Sequence, residues 1–290
     1  MRFRTSAVAG AATLALITGA CGSSDSASNT KVAKAPKFAA GTTMARLSSA
    51  GSVKVGTKFD QPLFGLKGLN GKPQGFDVEI AKIVAGALGV KPDKIEWVET
   101  PSKVREEKIE QGAVDLVVAT YTINDKRKLR ITFAGPYYVA GQDLMVKKDN
   151  TTVTGPDALK GQGKVCSVTG STPSETIKKY IEPSQLVLFD VYSKCADALR
   201  TGQVDAVTTD NVILLGLVDQ SKGAFKLVGK PFTQEPYGIG LKKGDTKFCE
   251  FINTTLTKAG EDGSYAKAWK DTAGKVSKNV PKVPHTDTCA

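Results

Sequence analysis

Two segments ninety residues apart constrain this chain more than any other feature. EQGAVDLVVAT (110–120) and RTGQVDAVTTD (200–210) each run from a helix end through a glycine to x-Val-Asp and an apolar strand. The repeat sets Asp115 and Asp205 at matching points and ends both strands in threonines, Thr120 and Thr208–Thr209. It reads as two similar lobes. Around it, short β-branched runs alternate with amphipathic helices, the pattern of an α/β architecture. VKVGT (53–57), DLVVAT (115–120) and KVCSV (164–168) read as buried strands, and Ile80, Ile83, Val84, Ala87 and Leu88 fall at helical spacing ahead of a stop at Gly89. Ligands in α/β sheets sit beyond the carboxyl ends of strands, so a cleft is expected between the lobes, beside those threonines. The chain should cross between lobes twice, near GQDLMVKKD (141–149) and KPFTQEPYGIGLKK (230–243). The first lobe is then about 44–142 plus 236–290 and the second about 146–232, with hinge segments near 141–147 and 230–238.

Composition narrows the chemistry. With 290 residues, 40% hydrophobic and 24% charged, the chain can bury a sizeable core and is too apolar to be disordered throughout. A single histidine, His285, argues against a histidine-based triad or a multi-histidine metal centre, and neither a catalytic residue nor a metal is expected. The net charge of +11 admits nucleic acid, anionic membranes or anionic solutes as partners. The lysines are dispersed, which disfavours nucleic acid.

Five cysteines is an odd number, and the N-terminus supplies a reason. Arg2 and Arg4 precede an uncharged, largely apolar run from Ala7 to Ile17, followed by Thr18, Gly19, Ala20 and Cys21. This is the plan of a secretory signal, with an apolar stretch too short to span a bilayer. The small residues before Cys21 resemble a bacterial lipoprotein signal, in which the cysteine becomes the lipid-modified first residue of the mature protein. Residues 1–20 then form the signal, 21–43 a polar, flexible tether, and Cys21 an anchor to the outer face of the cell membrane. Cys166, Cys195, Cys249 and Cys289 remain, and an oxidising compartment favours disulfides among them. Of the three pairings, proximity in sequence favours Cys166–Cys195 and Cys249–Cys289.

GFDVEIAKIVAGAL (75–88) resembles the signature of the bacterial extracellular solute-binding proteins of family 3, the polar-amino-acid binders of ABC importers; Gly75, Phe76, Asp77, Val78, Glu79 and Ile80 carry the match. The resemblance extends over about 50–275. It is strongest toward glutamate-binding lipoproteins of actinobacteria, through GTKFDQP (56–62), ATYTIN (119–124), GSTPSETIK (170–178), TTDNVIL (208–214) and PYGIGLKK (236–243). The placement of Cys166 and Cys195 is similar too. The resemblance implies a type II periplasmic-binding-protein-like fold, two α/β lobes on a two-strand hinge, in a monomer that uses no cofactor and delivers its solute to an ABC permease. Two other readings share the fold: a sensor presenting the same solute to a signalling partner, and a dehydratase-like enzyme, for which the motifs leave no spare acid–base pair.

An amino-acid zwitterion needs a cationic fork for its carboxylate and acceptors for its ammonium, desolvated together. By resemblance, Arg127 holds the α-carboxylate bidentately, as a guanidinium does better than lysine. Thr122 and a backbone N–H of Ser171–Thr172 complete that end. T-P-S-E (172–175) reads as a capping box with Pro173 at the first helical position. Asp210 is implied as the partner of the ammonium, helped by the Ala119 carbonyl and the Thr120 hydroxyl. By the same resemblance Lys58, just after the first strand, is implied to face the ligand side chain, where a cation favours a second carboxylate, hence glutamate or aspartate. Lys67 is the second candidate for that role. Gln61 and Thr209 offer hydrogen bonds that would admit glutamine, and Phe59, Phe64 and Tyr121 are candidate apolar walls.

Overall fold

The computed structural model describes residues 36–289, so the signal segment, Cys21 and most of the tether lie outside the described residues. Two five-stranded sheets share one plan. The first orders its strands Ile95–Glu99, Val53–Thr57, Leu116–Val117, Glu235–Leu241 and Thr132–Ala140. Its first three are parallel, and the last two each run antiparallel to the strand before. The second, Leu186–Phe189, Val165–Val168, Ala206–Asp210, Gln142–Lys147 and Phe225–Leu227, repeats that pattern place for place. The chain leaves the first sheet after Ala140, enters the second at Gln142, and returns between Leu227 and Glu235. Each sheet has its own core. Helices Phe76–Ala87, Thr246–Glu261 and Ser264–Asp271 cover the first, around Phe64, Phe76 and Trp269, and helices Tyr192–Thr201 and Asn211–Gln220 cover the second. Among the described residues no helix is long and apolar enough to cross a membrane.

The sequence repeat supplies the third strand of each sheet. Gly112 and Gly202, at φ 67° and 78°, end the preceding helices in the left-handed conformation that glycine adopts without strain. The next amides, Ala113 N–H and Gln203 N–H, turn back onto the carbonyls of Lys108 and Ala198. Each aspartate then clamps the neighbouring parallel strand. Asp115 N–H donates to Lys54 O, and its carboxylate accepts Lys54 N–H at 2.8 Å. Asp205 N–H donates to Lys164 O, and its carboxylate accepts Lys164 N–H at 2.7 Å. The matched aspartates therefore fix strand register; they lie at the ends of the strands away from the threonines.

Two local expectations change. The strand expected over 115–120 is only Leu116–Val117, because the chain turns out of the sheet at Thr120, whose φ is +45°. The helix expected to be capped by Thr172 is capped by Ser171, whose hydroxyl accepts Ser174 N–H at 3.1 Å; Gly170, at φ 79°, turns the chain one residue earlier and leaves Pro173 at the second helical position. Disulfides join Cys166 to Cys195, binding a strand to the helix above it, and Cys249 to Cys289, holding the C-terminal tail on helix Thr246–Glu261. Asp115→Ala should lower stability by about 1.5–3 kcal/mol, the contribution of a charge-assisted hydrogen bond. Thermal melts should show the loss, and affinity for the solute should stay at the wild-type value.

Candidate ligand-binding site

A small cavity, about 210 Å³ of empty space, lies where the carboxyl ends of the two third strands meet. One lobe lines it with Gln61, Ser102, Arg105, Thr120 and Thr122, the other with Ser171, Thr172, Pro173, Tyr192, Thr209, Asp210 and Ile213. Its lining is mostly polar. The lobes are closed on it. Tyr237 O–H donates to Asp210 Oδ2 at 2.6 Å, Tyr192 N–H to Asp60 Oδ2 at 2.7 Å, and Arg127 Nη2 to Gly170 O at 3.1 Å. Thr122 and Thr172 hydroxyls meet at 3.2 Å, and Thr172 donates on to Glu235 at 2.7 Å.

One side of the cleft is cationic. Arg105 opens helix Arg105–Glu110 and is 2% exposed. Its Nη1 donates to Ala119 O at 2.8 Å, its guanidinium lies 4.0 Å from the centre of the Tyr121 ring, and its Nε has no partner. Lys58, also buried, donates to Ser102 Oγ at 2.8 Å; burial first, then the Arg105 charge, pushes its amine down to about 7. Arg127 borders the cavity without lining it. Its guanidinium donates to Thr122 O at 2.6 Å and to Gly170 O, and its Nε is 3.3 Å from Glu106. Burial, followed by the Arg105 charge, brings Arg127 down to about 10.

The opposite side is anionic. Asp210 is 2% exposed; Oδ2 accepts the Tyr237 hydroxyl, and Oδ1 has no partner. Burial, then the charge of Glu235, raises its carboxyl to about 7. Gln61 lies between, accepting Thr120 O–H at 3.0 Å and leaving its Nε2 unpartnered. The cavity thus offers two unpartnered donors, on Arg105 and Gln61, one unpartnered acceptor, on Asp210, and the unpartnered hydroxyl of Thr209, which can act as either.

Of the residues expected at the site, Gln61, Thr120, Thr122, Ser171, Thr172, Thr209 and Asp210 line the cavity, while Lys58 and Arg127 stand directly behind it. Four expectations are corrected. The Ala119 carbonyl is held by the Arg105 guanidinium at 2.8 Å rather than left for an ammonium. Tyr121 is a platform under the two guanidiniums rather than a wall. Phe64 is core, packed against Phe76, Tyr237 and Trp269. Lys67 is exposed on a small antiparallel sheet of Asp60–Gln61, Gly65–Lys67 and Pro73–Gln74, its amine over the Phe59 ring. Sequence reasoning missed Ser102, Arg105 and Tyr192. Arg105 had left a sign: it stands four residues before Ile109, the spacing that puts both on one helix face, and both are buried.

Two lobes of matching topology closed on a small polar cavity define a two-lobed solute-binding protein with the type II periplasmic-binding fold. The family described as bacterial extracellular solute-binding proteins, family 3, matches residues 53–272, and the chain belongs to it. It is similar to the glutamate-binding protein GluB of Corynebacterium efficiens, 40% identical over 239 residues, covering 79% of this chain and 81% of the relative. It is similar also to the ABC transporter glutamine-binding protein GlnH of Bacillus subtilis, 38% identical, covering 88% and 91%. Among solved structures, an ancestral arginine-binding protein bound to glutamine superposes with a TM-score of 0.72 at 38% identity, covering 77% of this chain and 97% of that one.

Closure brings helix Asn211–Gln220 against Pro62, where a Cβ on Gly216 would lie 2.5 Å from a backbone oxygen. Gly216→Ala should therefore hold the lobes apart and weaken solute binding roughly tenfold. Within the helix alanine is favoured by about 1 kcal/mol, so the unliganded protein should melt no lower than wild type. Calorimetry and small-angle scattering would show both effects, and unchanged affinity would mean that the closed lobes do not bind the solute.

Proposed function

We propose that the protein is an extracytoplasmic receptor for an acidic amino acid, glutamate first, which it passes to an ABC permease while tethered through a lipid on Cys21. The observation that carries this reading is the placing of unpartnered, opposite-charge groups across one small cavity: Arg105 Nε and Gln61 Nε2 against Asp210 Oδ1. A zwitterion satisfies both sides. Its ammonium sits on Asp210 with Thr120 and Thr209 nearby. Its α-carboxylate goes to Arg127, which exchanges the Gly170 carbonyl for it, beside Thr122 and the Ser171–Thr172 amides. The side-chain carboxylate goes to Arg105, with Lys58 reinforcing through Ser102. Glutamate would add a counter-charge beside these two buried cations beyond those of Asp60 and Asp77, and glutamine would not, which supports glutamate of the two ligands that the similar proteins bind. Contacts from both lobes give the closed state its differential affinity.

Calorimetry on the mature domain should find glutamate bound at least roughly tenfold more tightly than glutamine; the reverse order would sink the acidic assignment. Arg105→Ala should cost glutamate about 2–5 kcal/mol, as removal of one partner of a buried charge pair does, and should cost glutamine less. Asp210→Asn should abolish binding of both.

The pH dependence has two limbs. Asp210, raised to about 7, must release its proton to take the ammonium, so affinity falls as pH drops below 7. Lys58, lowered to about 7, must gain a proton to face a carboxylate, so glutamate affinity also falls as pH rises above 7. Each limb approaches about 1.4 kcal/mol per pH unit. Lys58→Met should remove the alkaline limb alone, and a profile flat from pH 5 to pH 9 would count against both roles.

A further inference from the structure

Asp77 belongs to the signature segment 75–88, yet it does not itself line the cavity. It stands in the first turn of helix Phe76–Ala87, fully buried, and does not cap its own helix. Burying a carboxyl group in a lobe core is costly unless its oxygens are satisfied. Both are: Oδ1 accepts the Tyr137 hydroxyl at 2.6 Å, and Oδ2 accepts Thr120 N–H at 2.7 Å. Thr120 is the residue at φ +45°, a conformation that a β-branched side chain seldom adopts and that persists only when its surroundings impose it.

That one peptide unit orients much of the cationic wall. The Ala119 carbonyl holds Arg105 Nη1 at 2.8 Å, the Thr120 carbonyl lies 3.5 Å from the same nitrogen, and the Thr120 hydroxyl holds Gln61 at 3.0 Å. Released from Asp77, Thr120 would relax toward an extended φ and turn both carbonyls away from Arg105. We infer that Asp77 is a positioning residue for the ligand: its carboxylate pins Thr120 in the left-handed turn and so aims Arg105 and Gln61 into the cleft. This rests on the reading of Arg105 as a receiver of the ligand carboxylate.

The test compares Asp77→Ala, Asp77→Asn and Tyr137→Phe by calorimetry with glutamate and glutamine, after wild type has been measured with both. Asp77→Ala should bind glutamate at least roughly tenfold more weakly and lose most of the preference over glutamine. Asp77→Asn keeps an oxygen for Thr120 N–H and can donate to the Tyr137 hydroxyl, so it should restore most of both. Tyr137→Phe removes the other partner of the carboxylate; it should lower the melting temperature and leave the preference intact. Should alanine fail to fold, Asp77→Leu fills the same space without the acceptor. If Asp77→Ala or Asp77→Leu melts lower but keeps wild-type affinity and preference, Asp77 is merely structural and the inference is overturned. A wild type that binds glutamine better refutes the acidic reading alone, and the loss of affinity in the Asp77 variants is then read on glutamine.

Discussion

Three cations crowd the floor of one cleft. The guanidiniums of Arg105 and Arg127 lie 4.0 and 5.0 Å from the centre of one tyrosine ring, and the Lys58 amine is buried near them. Removing an ion from water costs several kcal/mol even after relaxation, and like charges raise that cost. The protein offsets part of it with the Tyr121 ring, the carbonyls of Ala119, Thr122 and Gly170, and Glu106. The offset is incomplete: Lys58 and Arg127 both titrate below their usual values, with burial the leading cause and Arg105 the second. A carboxylate of the proposed ligand would relieve this cost by adding a counter-charge, taking the place of the Gly170 carbonyl on Arg127.

Closure depends on the same balance. The contacts that cross the cleft are mostly polar and few, and several use groups that the proposed ligand would also use: Arg127 spans to Gly170, and Tyr237 spans to Asp210. Such contacts weakly favour the shut form, whereas a charged ligand touching both walls adds a term that the open form lacks. Close backbone approach makes the shut form sterically exacting. A Cβ on Gly170 would lie 2.7 Å from Lys103 Cα, much as one on Gly216 would meet Pro62. Glycine at these two points lets the walls of the two lobes meet.

The α/β plan was legible because the repeat is covalent pattern: helix end, glycine, aspartate, strand. Gly112, Gly202, Asp115 and Asp205 act through neighbours close in topology, and their roles can be read from spacing. Thr120, Thr209 and Asp210 were legible as cavity residues because ligands gather at the ends of strands. Arg105 was not, since a charged residue in REEKIE reads as solvated surface; its burial is imposed by Tyr121 and Ala119 from another segment. Lys67 and Phe64 failed for the converse reason. Both belong to the loop-rich stretch after the first strand, where no periodicity tells an inward from an outward side chain, and only packing against helix Phe76–Ala87 decides.

The two lobes are alike in strand order and in the aspartate clamps, and they diverge at the carboxyl end of the repeated strand. In one, the chain turns sharply at Thr120 and the space beyond is ringed by Arg105, Lys58 and Arg127; in the other, the strand runs on through Thr208 and Thr209 to Asp210. A near-symmetric scaffold therefore presents opposite charge from two equivalent strand ends. Among the described residues no direct ion pair joins the two ends: Asp210 hydrogen-bonds Tyr237, and Arg105 and Arg127 hold carbonyls. The proposed ligand, a small molecule carrying both signs, would complete the pairing that the repeat leaves open, and its second negative charge would sit on the side where Arg105, Lys58 and Arg127 cluster.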